Sequence, residues 1–257
     1  MSNELEYDYR FCCFIDILGF KNHINELEIN DKPNMDKVES IHIALKKIKE
    51  IGENSQVGSQ DCKISQFSDN IVISFSYYER GQFLSLLLSI LHIQLELVQM
   101  GFLIRGGISI ERLFHSNEFV FGKALVKAYE LESKQAKYPR IILNDDAIEI
   151  AKEFGEHNPK QEEKYIRQLA KKDDDGQWYL DYFQSAMSEF DTYSYEYGEV
   201  IEVSYKYIEN IENNFLSNFN SMDKKCGYYD KLDWLNNKLN DFKNYLSELE
   251  QKIIPQP

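Results

Sequence analysis

The first third of the chain contains two apolar stretches that are each interrupted by one aspartate. In FCCFIDILGF (11–20) both faces are apolar, which predicts a buried strand over Arg10–Leu18. In QFSDNIVISF (66–75) the Ser-Asp-Asn triplet has turn chemistry. The two flanking β-rich runs, Cys62–Phe67 and Ile71–Tyr77, are therefore predicted to form a hairpin around that turn.

Hydrophobic periodicity predicts the elements that follow. Apolar residues recur at helical spacing over Lys37–Ile51, Gly81–Met100 and Gly122–Lys137, strand composition marks Phe102–Ile110, Glu118–Phe121 and Tyr138–Leu143, and Asn144 is a predicted N-cap of a further short helix. The order β-α-β-β-α-β, followed by β, α and β, favours an α+β fold with a ferredoxin-like core and helices packed on the sheet.

The last part of the chain differs in pattern from the rest. DDDGQWYLDYF predicts a turn and a late strand, after which the sequence becomes rich in Tyr, Asn and Glu with helical periodicity. We therefore predict a core domain over residues 1–192 and a helical C-terminal extension over 193–257. The pattern leaves open whether that extension packs on the core or on a partner.

Composition and charge narrow the classes of function. With 43% apolar residues, the 257-residue chain can bury a sizeable core, and its net charge of −14 argues against a broad nucleic-acid-binding face. The four cysteines have neither CxxC spacing nor disulfide-framework density, which predicts reduced thiols in a cytoplasmic protein. The polar N-terminus and the polar residues inside the most apolar helix favour a chain without a signal peptide or membrane span.

The two aspartates suggest metal chemistry. If the first strand lies beside the hairpin, Asp16 and Asp69 meet at neighbouring strand ends, where they repel unless a cation neutralises them. A pair of divalent ions does this and can clamp the attacking and leaving oxygens of a phosphoryl transfer. The alternative is that Asp69 only forms the turn and Asp16 only caps a helix.

Four segments resemble the motifs of the class III nucleotidyl cyclases, in the family's order and at similar spacing. The segments are FIDILGF, SDNIVISF, RGGIS (105–109) and FGKALVKAYELE (121–132), and together with their connections they span about residues 10–143. The later AYELESKQAKYPRI and DDDGQWYLDYF are most similar to the bacterial pyrimidine cyclases of the Pycsar anti-phage system.

This resemblance implies roles for particular positions. Asp16, Asp69 and the backbone carbonyl of Ile17 match the ligands of two Mn²⁺ or Mg²⁺ ions, Gly19 and Phe20 match the turn under the triphosphate, and Arg105 matches an arginine that contacts phosphate oxygens. The family builds its site between two head-to-tail copies, which implies a homodimer.

The sequence departs from the family at other positions. The transition-state Asn and Arg of the family fall on Val126 and Glu130, neither of which can donate to a phosphate. Arg140, at a predicted strand start, is the preferred replacement, ahead of Lys123, Lys127 and Lys134. The family's purine-reading Lys and Asp fall on Ser65 and Phe119, which cannot form that charged pair.

These features together predict a pyrimidine nucleotide cyclase. It would convert UTP or CTP to the 3′,5′-cyclic monophosphate and pyrophosphate, and the resemblance favours UTP. The resemblance also implies a second messenger that acts on a separate effector protein in anti-phage defence. Val126 and Glu130 keep two alternatives open, namely a catalytically silent nucleotide-binding or regulatory module and a scaffold that uses the fold only to dimerise.

Overall fold

The computed structural model describes residues 6–54, 61–79, 81–144, 149, 159–190 and 197–253. The strands are β1 (Asp8–Ile17), β2 (Glu28–Ile29), β3 (Lys32–Pro33), β4 (Lys63–Phe67), β5 (Asn70–Ser76), β6 (Ile104–His115), β7 (Val120–Gly122), β8 (Ile141–Leu143), β9 (Ala170–Lys172) and β10 (Trp178–Leu180). The helices are α1 (Phe20–Asn25), α2 (Met35–Asn54), α3 (Gln82–Gln99), α4 (Lys123–Lys134), α5 (Pro159–Leu169), α6 (Ala186–Phe190), α7 (Tyr197–Ile211) and α8 (Tyr229–Ile253).

One mixed sheet lies at the centre of the molecule, with the strand order β4-β5-β1-β6-β8-β10-β9 and β7 paired to β6. Each of the four strands β4, β5, β1 and β6 is antiparallel to its neighbour, and α2 and α3 connect them in βαββαβ order. This is the ferredoxin-like arrangement, so the predicted α+β class and core are confirmed. The β9–β10 hairpin extends the sheet through β8, which is parallel to β6.

The two faces of the sheet are covered unequally. Side chains alternate along a strand, so Phe11, Cys13 and Ile15 face α2 and α3, whereas Cys12 and Phe14 face α4. Helix α4 packs mainly on β1 and β6, and β4 has half-buried residues and a Phe67 side chain that is 82% exposed. An open surface therefore remains beside the hairpin, next to Asp69.

Two predicted elements differ from the observed ones. Strand β6 runs to His115 because the polar Glu111 and Arg112, which weaken the strand pattern, still pair with Arg10 and Tyr9 of β1. Strand β8 begins only at Ile141, after the Tyr138–Arg140 segment, because Pro139 has no N–H to donate to a neighbouring strand.

Helix α3 is long and apolar enough to cross a membrane by length and composition, but 67% of it is buried inside the protein. It is the core helix that the sequence predicted. Helices α7 and α8 join the same hydrophobic core, through residues that include Ile208, Leu235 and Phe242. The extension therefore packs on the core. The predicted boundary at 192/193 and the helix after Asn144 lie outside the described residues.

Candidate active site

The structure brings the two aspartates of the opening motifs to one edge of the sheet. Asp16 lies next to the C-terminal end of β1 and pairs in register with Asn70 of β5, so the turn residue Asp69 is carried beside it. The two carboxylates are close enough that the charge of Asp69 raises the pKa of Asp16. Their role as metal ligands stays a prediction.

Arg105 lies opposite Asp16 across β1 and β6. Its Nε is 3.1 Å from Asp16 Oδ2 and 2.7 Å from Glu132 Oε1. The Nε–H of Arg105 is directed at Asp16. Glu132 Oε1 is therefore ion-paired with Arg105 but accepts no hydrogen bond from any residue that the structure describes. Glu132 is only 3% exposed. Sequence reasoning missed it as a site residue, although an acid that follows an apolar position near the end of an amphipathic helix was a visible signal.

Burial makes this edge unfavourable for negative charge. Burial is the largest cause of the raised pKa of Asp16. The charge of Asp69 also raises this pKa, whereas Arg105 opposes the increase. The pKa of Glu132 is also raised, mainly by burial and further by Asp16, against the opposing effect of Arg105. Asp16 and Glu132 thus share one guanidinium while Asp69 adds a further negative charge, so the edge as a whole favours an additional cation.

The oxygens at this edge fit a hard divalent cation. Asp16, Asp69 and the backbone carbonyl of Ile17 offer oxygen donors only, which is the donor chemistry that Mg²⁺ and Mn²⁺ prefer. No group of three or more His, Cys, Asp or Glu side chains within the described ranges is arranged to hold a metal. The remaining ligands must therefore come from water and from phosphate oxygens, as is common for Mg²⁺ bound by one or two carboxylates.

The Gly19–Phe20 turn follows directly after the Asp16 edge. Gly19 has a φ of 72°, in the left-handed region that favours glycine, and its carbonyl accepts the N–H of Asn22 at 2.8 Å. Phe20 is buried in the core and anchors the first turn of α1. The turn is thus fixed close to the two aspartates, where the sequence placed the triphosphate.

An open groove of about 840 Å³ lies along the β4–β5 hairpin. Ser68 and Asn70, on either side of Asp69, line it together with Ser65. Phe119 does not line the groove, although its neighbours Glu118 and Val120 do. Its side chain is 63% exposed, in a turn that Ser116 holds by accepting the Phe119 N–H at 3.1 Å. The groove and the aspartate edge therefore share one hairpin, and of the two positions predicted to contact a base, Ser65 lines the groove and Phe119 does not.

Arg140 is not brought to this edge. It is fully buried, with its two terminal nitrogens on Asp173 and Asp175 and its guanidinium 5.0 Å from the centre of the Tyr138 ring. Trp234 of α8 donates to the same Asp173 carboxylate at 2.7 Å. This placement ties the β9–β10 turn and α8 to the core, and it gives no support to the predicted catalytic role of Arg140.

Helix α4 carries the positions where this sequence departs from its motif. Val126 is 58% exposed, and Glu130 forms an ion pair with Lys134 at 2.7 Å. Lys127 is paired with Glu111 at 2.5 Å. Two of the lysines considered as replacement cations are thus already neutralised by acids on the surface of the chain.

Solved structures with a similar fold are nucleotide cyclase domains. The adenylyl cyclase CyaB from P. aeruginosa is 15% identical, with a TM-score of 0.46 over 58% of this chain and 83% of that one. The guanylyl cyclase Cya2 is 16% identical, with a TM-score of 0.41 over 57% and 79%. The guanylate cyclase domain of RhGC from Catenaria anguillulae, in complex with GTP, is 14% identical, with a TM-score of 0.44 over 56% and 82%. No protein-family model and no curated protein sequence matches the chain. Similarity at this level does not transfer a function.

Proposed function

We propose that this chain is a pyrimidine nucleotide cyclase, which converts UTP or CTP to the 3′,5′-cyclic monophosphate and pyrophosphate. The observation that carries the proposal is the edge at which Asp16 and Asp69 lie together with Arg105, beside the hairpin groove. The acidic edge favours cations, and it lies next to an arginine and a groove. This combination suits a metal-bound nucleoside triphosphate better than it suits an uncharged ligand.

The chain's own residues bind and orient the substrate. Asp16, Asp69 and the Ile17 carbonyl would hold two Mn²⁺ or Mg²⁺ ions, which when bound increase the acidity of the ribose 3′-hydroxyl and clamp the triphosphate. Arg105 uses Nε for Asp16, and its terminal nitrogens make no hydrogen bond within the described structure, so both can donate to phosphate oxygens. The 3′-oxygen attacks the α-phosphorus in line as the bond to pyrophosphate breaks, and positioning supplies much of the rate.

The groove supports a pyrimidine base. Ser65 lines it, and Phe119 is exposed between the lining residues Glu118 and Val120, so these two positions do not offer the charged pair that reads a purine edge. A phenyl ring can stack on any base, with a contribution of about 1–3 kcal/mol. Selectivity between the bases must therefore come from hydrogen bonds. The preference for UTP over CTP comes from the resemblance.

A second copy of the chain is the proposed partner. Large apolar side chains remain exposed on the side of the sheet that carries α4 and the hairpin, namely Phe67, Phe119, Phe121, Val126 and Tyr129. Exposed apolar patches of this kind mark protein–protein surfaces. A homodimer over this face would enclose the groove. Cytoplasmic synthesis of a second messenger, read by a separate effector in anti-phage defence, completes the proposal.

Product formation tests the proposal. Purified protein is incubated with UTP, CTP, ATP or GTP and Mn²⁺, and products are identified by mass spectrometry. We expect a cyclic pyrimidine nucleotide from the wild type and none from Asp69→Asn. Asp31→Asn is the matched control, because Asp31 is an exposed aspartate of another hairpin turn. Preferred turnover of ATP or GTP would contradict the pyrimidine assignment.

The α4 surface favours one alternative, a catalytically silent nucleotide-binding module. Glu130 places an acid, and Val126 an apolar side chain, where a cyclase of this type would have donors for the triphosphate. Under this alternative, calorimetry shows metal-dependent binding of a nucleoside triphosphate while no product forms with any of the four substrates.

A further inference from the structure

A chain of hydrogen bonds runs from the buried side of β5 to the wall of the groove. Arg10 Nε donates to Ser74 Oγ at 2.9 Å, Ser74 Oγ lies 2.8 Å from His115 Nδ1, and His115 Nε2 lies 2.9 Å from Ser65 Oγ. Arg10 itself is held by Asp61, whose Oδ2 accepts a hydrogen bond from Arg10 Nη1 at 2.6 Å. Only the last member of this chain, Ser65, reaches the groove.

The buried end of this series of hydrogen bonds determines which atom is the donor in each of them. Ser74 is fully buried, and Arg10 is a permanent donor to its oxygen. The Ser74 hydroxyl proton needs an acceptor of its own, and His115 Nδ1 is the one that the described residues provide. The His115 proton must then reside on Nε2, which donates it to Ser65 Oγ.

The opposite arrangement is disfavoured. With the proton on Nδ1, Ser74 Oγ would receive hydrogen bonds from both Arg10 and His115, and its own proton would be buried without an acceptor. The ring stays neutral near pH 7 because burial, helped by the charges of Arg10 and Lys63, lowers the pKa of His115 to about 4. A neutral ring is required, since a protonated one would donate from both nitrogens.

We propose that His115 is a positioning residue which holds the Ser65 hydroxyl as a hydrogen-bond donor toward the groove, and that this donor selects uracil by its O4 carbonyl. The inference rests on the proposed function, because it names the base that the same site takes. Ser65 alone can donate or accept, and the relay from Arg10 fills one of the two acceptor positions of its oxygen and leaves its proton free to donate.

The chemistry of the two pyrimidines then separates them. At the 4-position uracil has a carbonyl oxygen, which accepts a hydrogen bond, whereas cytosine has an amino group, which donates one. A Ser65 hydroxyl whose oxygen already accepts from His115 meets uracil with a matched pair. It meets cytosine less favourably, because the Ser65 oxygen must then accept a second hydrogen bond and the hydroxyl proton must turn away from the base, and this difference discriminates between the two bases.

The activity test removes the proposed hydrogen bond in two ways, by substitution of Ser65 and by removal of the 4-oxygen of the base. We measure kcat/KM for UTP, CTP and the triphosphate of the 2-pyrimidinone riboside, which lacks the 4-oxygen, with wild type and Ser65→Ala. Loss of one hydrogen bond corresponds to about a threefold to tenfold loss for UTP. Ser65→Ala should lower the UTP/CTP ratio by that factor, and removal of the 4-oxygen should cost the variant nothing further. Additive losses would overturn the contact.

The role of His115 is tested by a readout that a purely structural residue would not move. In protein labelled with ¹⁵N-histidine, long-range ¹H–¹⁵N correlation spectra identify the protonated nitrogen, and His115→Gln assigns the signal. We expect the Nε2–H form in the wild type, a substantial Nδ1–H population in Ser74→Ala, and no change in Ser76→Ala, the control two residues along the same strand. An Nδ1–H wild type would overturn the proposal.

The outcomes separate this inference from the proposed function. If no nucleotide is turned over, the cyclase assignment fails, and the inference is decided by the tautomer and by calorimetric binding of UTP against CTP in the presence of Ca²⁺. If UTP is turned over but His115→Gln, still folded by circular dichroism, keeps the wild-type UTP/CTP ratio, the cyclase assignment stands and the positioning role is wrong.

Discussion

Arg105 and Asp16 face each other across adjacent antiparallel strands, with Nε 3.1 Å from Oδ2. The arginine expected to contact phosphate is therefore the immediate partner of an aspartate expected to bind metal. A cation that neutralises Asp16 weakens its hold on the guanidinium, because the two positive charges compete for one carboxylate. We therefore expect binding of metal and binding of phosphate at this edge to be coupled.

Asp16→Asn should abolish turnover, with a loss of at least about 100-fold, without reducing stability. The pKa of Asp16 is raised in the folded protein, chiefly by burial, so the ionised carboxylate is disfavoured there at pH 7. A neutral amide removes that penalty. Urea unfolding of the metal-free protein should give a free energy of unfolding equal to or above that of the wild type. Near-wild-type turnover at saturating Mn²⁺ would contradict the assignment of Asp16.

Arg140→Ala should destabilise the protein by about 3–5 kcal/mol, because it leaves the buried Asp173 with less positive charge than its burial requires. Urea denaturation measures the change. Arg167→Ala is the control, since its pair with Glu163 is a half-exposed contact between residues four apart in a helix and contributes at most about 0.5 kcal/mol. A stable but inactive Arg140→Ala protein would instead restore the catalytic role expected from the sequence.

Gly107→Ala should lower both stability and activity. A Cβ at Gly107 would lie 2.5 Å from Leu131 Cβ and 2.7 Å from the Ala128 carbonyl oxygen, so α4 must move away from β6. Such overpacking costs about 1–3 kcal/mol and would displace Glu132, which follows Leu131. Thermal unfolding and product formation report the two effects. Gly227→Ala, where a Cβ meets nothing within 4 Å, should change neither.

His115 should make the protein less stable as the pH falls from about 6.5 to about 4. Its pKa is lowered to about 4 in the folded protein by burial and by Arg10 and Lys63, with Asp61 opposing, and the unfolded state has the ordinary value near 6.5. Between these values the unfolded state binds the extra proton, so stability is complete above 6.5 and declines toward 4.

The magnitude is about 2–3 kcal/mol, because a shift of one pKa unit corresponds to 1.36 kcal/mol and the site is partly screened by solvent. Urea unfolding at several pH values should show a steeper decline for the wild type than for His115→Gln. Parallel pH profiles would show that the imidazole does not titrate as its burial requires.

Local patterns predicted the strands and helices of the core well. The apolar run that became β1, the turn at Asp69 and the periodic helices each carry their information within one segment, where neighbouring residues decide the structure. The edge where Asp16 meets Asp69 was predicted because it requires only the order of three strands.

Contacts between distant segments were not predictable in this way. The Arg140–Asp173 pair joins residues 33 apart, and the Arg10–Ser74 contact joins residues 64 apart. Neither residue pair has a local pattern. No local sequence pattern distinguishes His115, since its partners Ser65 and Ser74 lie on two other strands.

The junction of Arg140, Asp173 and Trp234 also sets the timing of folding during synthesis. The ribosome releases the central strands and Arg140 long before α8, whose Trp234 and Lys238 both bind Asp173. Until α8 emerges, part of the hydrophobic core around Tyr138 and Tyr179 stays uncovered. Nascent chains stalled before Tyr229 should therefore remain sensitive to protease, and release of α8 should convert them to the protected state.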